Sequence, residues 1–361
     1  MTEKTAPQPT VFSLKNRSTP LIISGPCSAE TEGQLLNTAK QLKATGIVHL
    51  LRAGIWKPRT RPGSFEGVGA VGLQWLQTAK AETGLPTTVE VATTEHVEQA
   101  LAHGVDVLWI GARTSVNPFA VQTIADALKG VDITVLVKNP INPDLNLWIG
   151  AIERIKNAGI TEVGAIHRGF SRYGEQTYRN APNWQIPIEL MRKFPDLPMI
   201  CDPSHICGRR DLLQKVSQKA LDLSFDGLML ETHIDPDNAW SDARQQITPE
   251  QFHEMYKALA FRKPIAEDLE ADPLEESRLK IDRLDEEIMT LLAQRMDVAT
   301  AIGSIKKLHH LRVYQPERWE VINKRMIEQG ADAGLSQPFI EQYLKAIHAE
   351  SIEKQMNVIN D

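Results

Sequence analysis

Residues 86–113 read PTTVEVATTEHVEQALAHGVDVLWIGAR: an apolar run (86–91), an amphipathic helical stretch, and a second apolar run (105–111). Runs of this kind, β-branched and apolar at nearly every position, suit strands buried on both faces, which is the habit of parallel sheets. The same unit repeats on either side. LIISG (21–25) and IVHLLRAG (47–54) precede it; ITVLVKN (133–139), TEVGAIHRG (161–169), LPMICDPSH (197–205) and FDGLMLETH (225–233) follow. Eight such runs alternating with helical segments over about 250 residues predict an α/β fold, a (β/α)8 TIM barrel. An open doubly wound sheet is the alternative, but no GxGxxG turn follows the first run.

Each run ends on a polar or reactive residue: Cys27, Arg52 with Lys57, Glu90, Arg113, Lys138, Arg168, His205, and Glu231 with Asp242 beyond it. In a barrel all strand ends converge on the C-terminal face, where active sites lie. Arg52, Lys57, Arg59, Arg113, Lys138 and Arg168 would then bring six cations into one mouth. So many like charges call for phosphates and carboxylates as ligands. Cys27, His205, Glu231 and Asp242 are a thiol, an imidazole and two carboxylates, a mixed soft and hard donor set. It suits a transition ion of the Mn, Fe, Co or Zn kind rather than Mg or Ca.

Charge divides the chain. Lysine plus arginine number 40 against 46 aspartates and glutamates, a net −6. Residues 1–262 are neutral, with 27 of each sign, and residues 263–361 hold the whole imbalance. Of this, −5 sits in Lys263 to Glu276 (KPIAEDLEADPLEE), a stretch with little to bury. The expected domains are 1–262, an acidic linker 263–273, and 274–361. An acidic balance argues against non-specific nucleic-acid binding. Three cysteines without CxxC spacing argue against a disulfide scaffold or a structural zinc site. No long apolar window and no hydrophobic signal core occur, so the expectation is a soluble, cytoplasmic protein with no membrane partner.

GPCS (25–28), RAGIWKPRTRPGSFEG (52–67), GAR (111–113), VKNP (137–140), IHRG (166–169), CDPSH (201–205) and LETH (230–233) resemble the metal-dependent type I 3-deoxy-D-arabino-heptulosonate 7-phosphate (DAHP) synthases across most of residues 15–262. The related 3-deoxy-octulosonate 8-phosphate synthases carry a KANR-like segment where this chain has Lys57-Pro58-Arg59-Thr60, and the KPRT form points to erythrose 4-phosphate. The resemblance implies condensation of phosphoenolpyruvate with that sugar phosphate. Arg113 and Arg168, with the backbone near Ala112, would hold the phosphate of phosphoenolpyruvate. Arg52, Lys57 and Lys138 would hold its carboxylate, and Pro58, Arg59 and Thr60 belong to the segment gripping the sugar phosphate. One divalent metal per barrel on Cys27, His205, Glu231 and Asp242 would polarise the aldehyde, and Glu90 would orient the attacking water. Either Lys57 or water held by the ion could deliver the alkoxide proton.

From Asp272 the pattern turns helical, with a proline at 273 and an acid at 275. Ile281, Leu284, Ile288, Leu291, Val298, Ile302 and Ile305 form a stripe at alternating spacings, broken by Arg295, on a helix of about 30 residues suited to pairing with another chain. Lys306 lies three turns beyond Arg295. A last helix near 336–358 carries Ile340, Leu344, Ile347 and Val358, interrupted by Ser351 and Gln355. Polar groups on two apolar faces suggest an anion pocket within a helical bundle.

Arg278, LD (284–285), LLAQR ending at Arg295, IGxxK ending at Lys306, Arg318 and SIEKQ (351–355) resemble the all-helical chorismate mutase class, three helices in an intertwined dimer. The resemblance implies that Arg278 (reaching into the partner's site), Arg295 and Arg318 bind the carboxylates of chorismate. Lys306 and Gln355 would flank the ether oxygen, with Ser351 beside them. A departure stands at Trp319, where that class has an acid for the substrate hydroxyl, and at Gln315; Gln315, Glu317 or Glu320 could take over that contact. The expectation is a bifunctional shikimate-pathway enzyme and homodimer whose helical domain also senses chorismate or prephenate, no regulatory extension being expected ahead of the barrel. The alternatives are a helical module that only binds ligand and dimerises, an octulosonate synthase barrel, and a metal-dependent hydrolase.

Overall fold

The computed structural model describes residues 12–15, 19–58, 63–174, 177–262 and 273–360. Arg59 and Thr60, and the expected linker up to residue 272, lie outside them. The chain divides into two compact units, Met1–Pro264 and Ile265–Asp361.

In the first unit eight parallel strands close into a barrel in sequence order. They are β1 (Leu21–Gly25), β2 (Leu50–Arg52), β3 (Thr87–Val91), β4 (Val107–Ile110), β5 (Thr134–Lys138), β6 (Val163–His167), β7 (Met199–Cys201) and β8 (Gly227–Glu231). β8 pairs with β1 from Leu21 opposite Gly227 to Gly25 opposite Glu231, which brings the ends of the first and last strands level. Side chains alternate between the two faces as the pleat requires. Leu21, Ile23, Leu50, Val107, Trp109, Leu136, Ile166, Ile200 and Met229 fill the barrel, while Ile22, Leu51, Leu108, Val135, Ala165 and Leu228 pack against the surrounding helices. This two-sided burial is why the runs read as continuously apolar.

Phe12 and Leu14 join the inner core at the N-terminal end of the barrel. Thr134, at the start of β5, donates its hydroxyl to Phe12 O, and Leu14 N donates to Glu162, which precedes β6. Side-chain caps fix where the helices start: Thr31, Thr93, Asn117 and Asp144 each accept a backbone N–H in the first turn that follows, and Thr248 and Gln251 form a capping box.

The second unit is three helices, Pro273–Leu308, Pro316–Asp332 and Gln337–Asn360. The sequence stripe on the long helix is not the face that packs within the chain. Ile281, Leu284, Ile288, Leu291, Val298, Ile302 and Ile305 are all exposed, from 40% to 64%. The buried positions are Ala299, Gly303 and Lys306, and a Cβ at Gly303 would stand 3.0 Å from Gln355 Cα on the last helix. Close approach of these two helices uses small residues, so this face carries little apolar signal. Arg295 is likewise exposed, not buried on a stripe. No helix among the described residues is long and apolar enough to cross a membrane.

Candidate active sites

Gly25 ends β1 with φ +152°, and a Cβ there would meet Arg52 O at 2.0 Å, so the chain turns tightly against β2 before Cys27. Cys27 is fully buried. Its Sγ lies 3.4 Å from Asp242 Oδ2, and Lys57 Nζ donates to Cys27 Sγ (3.0 Å) and Cys27 O (2.7 Å). Cys27, Glu231 and Asp242 each offer a ligand atom within 4.8 Å of the others. His205 stands at the rim of this trio, Nε2 3.7 Å from Glu231 Oε1. Its Nδ1 is 2.8 Å from Asp202 Oδ2, an arrangement that turns the free Nε2 toward Glu231. Asp202 also caps the short helix 203–207 through His205 N.

The electrostatics suit an ion. Burial pushes the Cys27 thiol up to about 12, and Glu231 adds to the rise. Burial opposes ionisation of Glu231, but His205 and Arg52 outweigh it and hold the carboxyl below its ordinary value. Burial likewise opposes Asp242, which Arg179, His205 and Lys57 hold well below the carboxylate range. The His205 imidazole is pulled down by burial, against Asp202 and Glu231. A neutral imidazole and two carboxylates are ready donors; only the thiol must lose a proton. Glu231 Oε1 is buried and accepts no hydrogen bond of good geometry, although Arg52 Nη2 lies 3.2 Å away.

The expected cations do not all stand unpaired. Arg52 faces Glu231, and Lys138 Nζ donates to Asp202 Oδ2 at 2.7 Å. Arg168 is different: among the described residues no carboxylate pairs with it, and its Nη1 donates to Asn180 Oδ1 (2.8 Å) and Gly169 O. Burial lowers it to about 10 against the pull of Asp202, and Arg179 and Arg113 repel it further. Arg52 Nε and Nη1 are buried without a hydrogen-bond partner. Arg113 is exposed beside buried Ala112 at the start of a short helix after β4, and half-buried Pro58 borders the residues outside the description.

Trp109 unites core and site. Arg52 and Lys138 lie over its ring at 5.1 and 5.7 Å, and its Nε1 donates to Glu90 Oε2 at 2.9 Å. Gly111 is required beneath Glu90, since a Cβ would meet Oε1 at 2.0 Å. The sequence reading did not single out Trp109, Asp202, Arg179 or Asn180. Asp202 sits in the CDPSH segment, where an Asp-Pro pair starting a helix is a readable cap. Arg179, which donates to Asp242 and Gln245, lies in a loop without any pattern.

In the helical unit a cavity of about 350 Å³ is lined by Arg295, Lys306, Gln315, Arg318, Trp319, His348, Ser351 and Gln355, among others. Arg295 Nη1 donates to Ser351 Oγ. Lys306 is buried and donates to Val313 O at 2.7 Å, while burial lowers its ammonium. Gln355 Nε2 donates to Ser351 O, leaving its buried Oε1 without a partner. Glu317 and Glu320 are exposed and do not line the cavity. Arg278 is exposed, 3.5 Å from Glu275, and stands outside the cavity of its own chain.

The DAHP synthetase I family matches residues 13–265, and the chorismate mutase type II family matches residues 277–356. A phospho-2-dehydro-3-deoxyheptonate aldolase from Thermotoga maritima is 33% identical, over 66% of this chain and 68% of its own. A 2-dehydro-3-deoxyphosphooctonate aldolase from Variovorax paradoxus is 29% identical, over 63% of this chain and 84% of its own. The crystal structure of the DAHP synthase from Thermotoga maritima is similar with a TM-score of 0.61 and 31% identity, over 70% of this chain and 72% of that one.

Proposed function

The chain belongs to the DAHP synthetase I family and carries a type II chorismate mutase domain behind it, and on that premise we propose how its residues divide the two reactions. The barrel condenses phosphoenolpyruvate with erythrose 4-phosphate to DAHP and phosphate; the helical unit rearranges chorismate to prephenate. The observation that carries the residue roles is the pair of under-satisfied buried guanidinium groups, Arg168 with no carboxylate partner among the described residues and Arg52 with two nitrogens lacking a hydrogen-bond partner, beside the Cys27–Glu231–Asp242 trio. Buried guanidinium donors left without acceptors are costly, and a bound phosphate or carboxylate relieves them.

Arg168 and Arg113, with the backbone at Ala112, bind the phosphate of phosphoenolpyruvate; Arg52, Lys57 and Lys138 bind its carboxylate. Pro58, Arg59 and Thr60 form the segment that selects the sugar phosphate. Cys27, His205, Glu231 and Asp242 hold one divalent ion of the Mn, Fe, Co or Zn kind, which supplies Lewis-acid polarisation of the aldehyde when bound. Glu90, fixed by Trp109, orients the water that attacks the former enol carbon. Lys57, 3.0 Å from the thiol sulfur, is placed to hold a proton at the new alkoxide. In the helical unit Arg295 and Arg318, with Arg278 of a second copy, bind the two carboxylates of chorismate. Lys306 and Gln355 meet the charge that grows on the ether oxygen, with Ser351 fixing Arg295.

The chain works as a homodimer through its helical unit. The exposed Ile and Leu stripe supports this, since each such side chain gains about 1.5–3 kcal/mol on full burial. Ile288→Glu is therefore expected to give a monomer by sedimentation with mutase turnover lost, because Arg278 no longer reaches a second copy. A dimer that survives Ile288→Glu together with Leu291→Glu would overturn this assignment. Ligand binding in the helical unit also regulates the barrel: prephenate is expected to slow DAHP formation by the full-length chain. Unchanged barrel rates at saturating prephenate would end this reading.

A further inference from the structure

We propose that His348 recognises the ring hydroxyl of chorismate in the helical cavity, and that Trp319 holds its imidazole for that contact. The proposal rests on the mutase reading of this unit. Three lining cations, Arg295, Lys306 and Arg318, answer the carboxylates and the ether oxygen, but among the described residues no lining residue is acidic. A hydroxyl brought into such a cavity needs a partner or loses the hydrogen bond it had in water.

Most polar candidates are already engaged. Ser351 Oγ accepts from Arg295 and donates to Ile347 O, and Gln355, whose Nε2 also donates to Ser351 O, is assigned to the ether oxygen. Gln315 is exposed at the start of the middle helix. His348 is free: no hydrogen bond or ion pair engages its ring among the described residues, yet the ring is firmly oriented. It stacks on Trp319 with centroids 3.8 Å apart and planes 19° apart, and Tyr314 meets it edge-on at 5.9 Å. Trp319 stacks on one face of the ring, and His348 lines the cavity. Burial, and then the nearby Arg295, pull its pKa below the ordinary imidazole value, which favours the neutral ring. A neutral imidazole offers one donor and one acceptor, the complement of a hydroxyl, whereas lysine and arginine only donate. The bulky indole at 319, where an acid would otherwise serve the hydroxyl, thus acquires a purpose: it seats a histidine from the facing helix.

The test is the ratio of kcat/KM for chorismate to that for its 4-deoxy analogue, measured on the full-length chain. The parent is expected to favour chorismate by about tenfold or more. His348→Phe keeps a ring on Trp319 but cannot hydrogen-bond; the ratio should fall to about one through a higher KM for chorismate, with the analogue little affected. His348→Gln should retain part of the preference, and Trp319→Phe, which keeps a stacking face without the indole N–H, should keep a ratio above that of His348→Phe. A ratio near one in the parent, or a parental ratio surviving in His348→Phe, overturns the proposal; collapse in Gln315→Ala alone transfers the role to Gln315 and does the same. If the parent rearranges neither compound, the mutase reading has failed. The same ratio taken from calorimetric Kd values then decides the hydroxyl contact by itself.

Discussion

Cys27→Ser is expected to lower divalent-metal affinity by at least about a hundredfold and to remove DAHP formation with it, while chorismate turnover stays at the parental level. The size follows from the state of the thiol. In a fully buried setting Cys27 is pushed up to about 12, so at neutral pH it holds its proton until an ion displaces it. A serine hydroxyl ionises far less readily and is a harder donor, so the soft corner of the set is lost while Glu231 and Asp242 remain. The same argument gives a pH dependence with a definite sign. Binding that expels one proton from a group at about 12 gains about tenfold in affinity for each unit of pH, throughout the range where the thiol is otherwise protonated. Both effects can be read without catalysis. The cobalt-loaded parent should show a thiolate-to-metal absorption band that the serine variant lacks, and metal retention after dialysis should follow the same order. Full DAHP synthase activity in exhaustively chelated parent protein would refute the metal assignment outright.

How much of this was readable in the residues varies with what each residue reports. All eight strands were, because burial on both faces leaves an unbroken apolar run. That Cys27 and Glu231 share one mouth was readable from the convergence of strand ends in a barrel, whereas Asp242 lies beyond β8. Pairing inside the site was not readable. The six cations looked unsatisfied because Asp202, which meets Lys138 and His205, reads as an ordinary helix cap, and no periodicity announces Arg179. Nor does sequence show that Phe12 and Leu14 plug the barrel floor, since two apolar residues in a polar leader carry no period. In the helical unit the stripe lies exposed within one chain, as on a helix suited to pairing with another. An apolar stripe reports that something will cover it, not what. Here the stripe from Ile281 to Ile305 is exposed, with Val298 and Ile302 lining the cavity, and the buried positions among the described residues are the quieter Ala299, Gly303 and Lys306. Arg295 lines the cavity from an exposed position, beside Val298 and Ile302 of the stripe.

Lys306→Ala should reduce chorismate turnover by about 10²–10³ in kcat with a smaller change in KM, and leave DAHP formation unaltered when no prephenate is present. The rearrangement is pericyclic, so no proton or covalent bond to the protein is needed, and the cavity can act only by holding a compact conformer and by answering charge. Carboxylate binding by Arg295 and Arg318 serves substrate and transition state alike and shows mainly in KM. Charge on the ether oxygen, by contrast, grows as the bond stretches. A group aimed at that atom acts chiefly in the transition state and shows in kcat. Lys306 is the buried cation of the cavity. It is held by Val313 O at 2.7 Å beside Gln355, so its position is set before the substrate arrives. Its ammonium is lowered by burial, which makes it a stronger hydrogen-bond donor than a solvated lysine. Lys306→Arg keeps the charge but displaces it, and should recover only part of the loss. The comparison also separates a working mutase from a module that binds ligand. If Lys306→Ala changes kcat by less than about threefold while prephenate affinity falls, the cavity is built for holding its ligand rather than for the transition state.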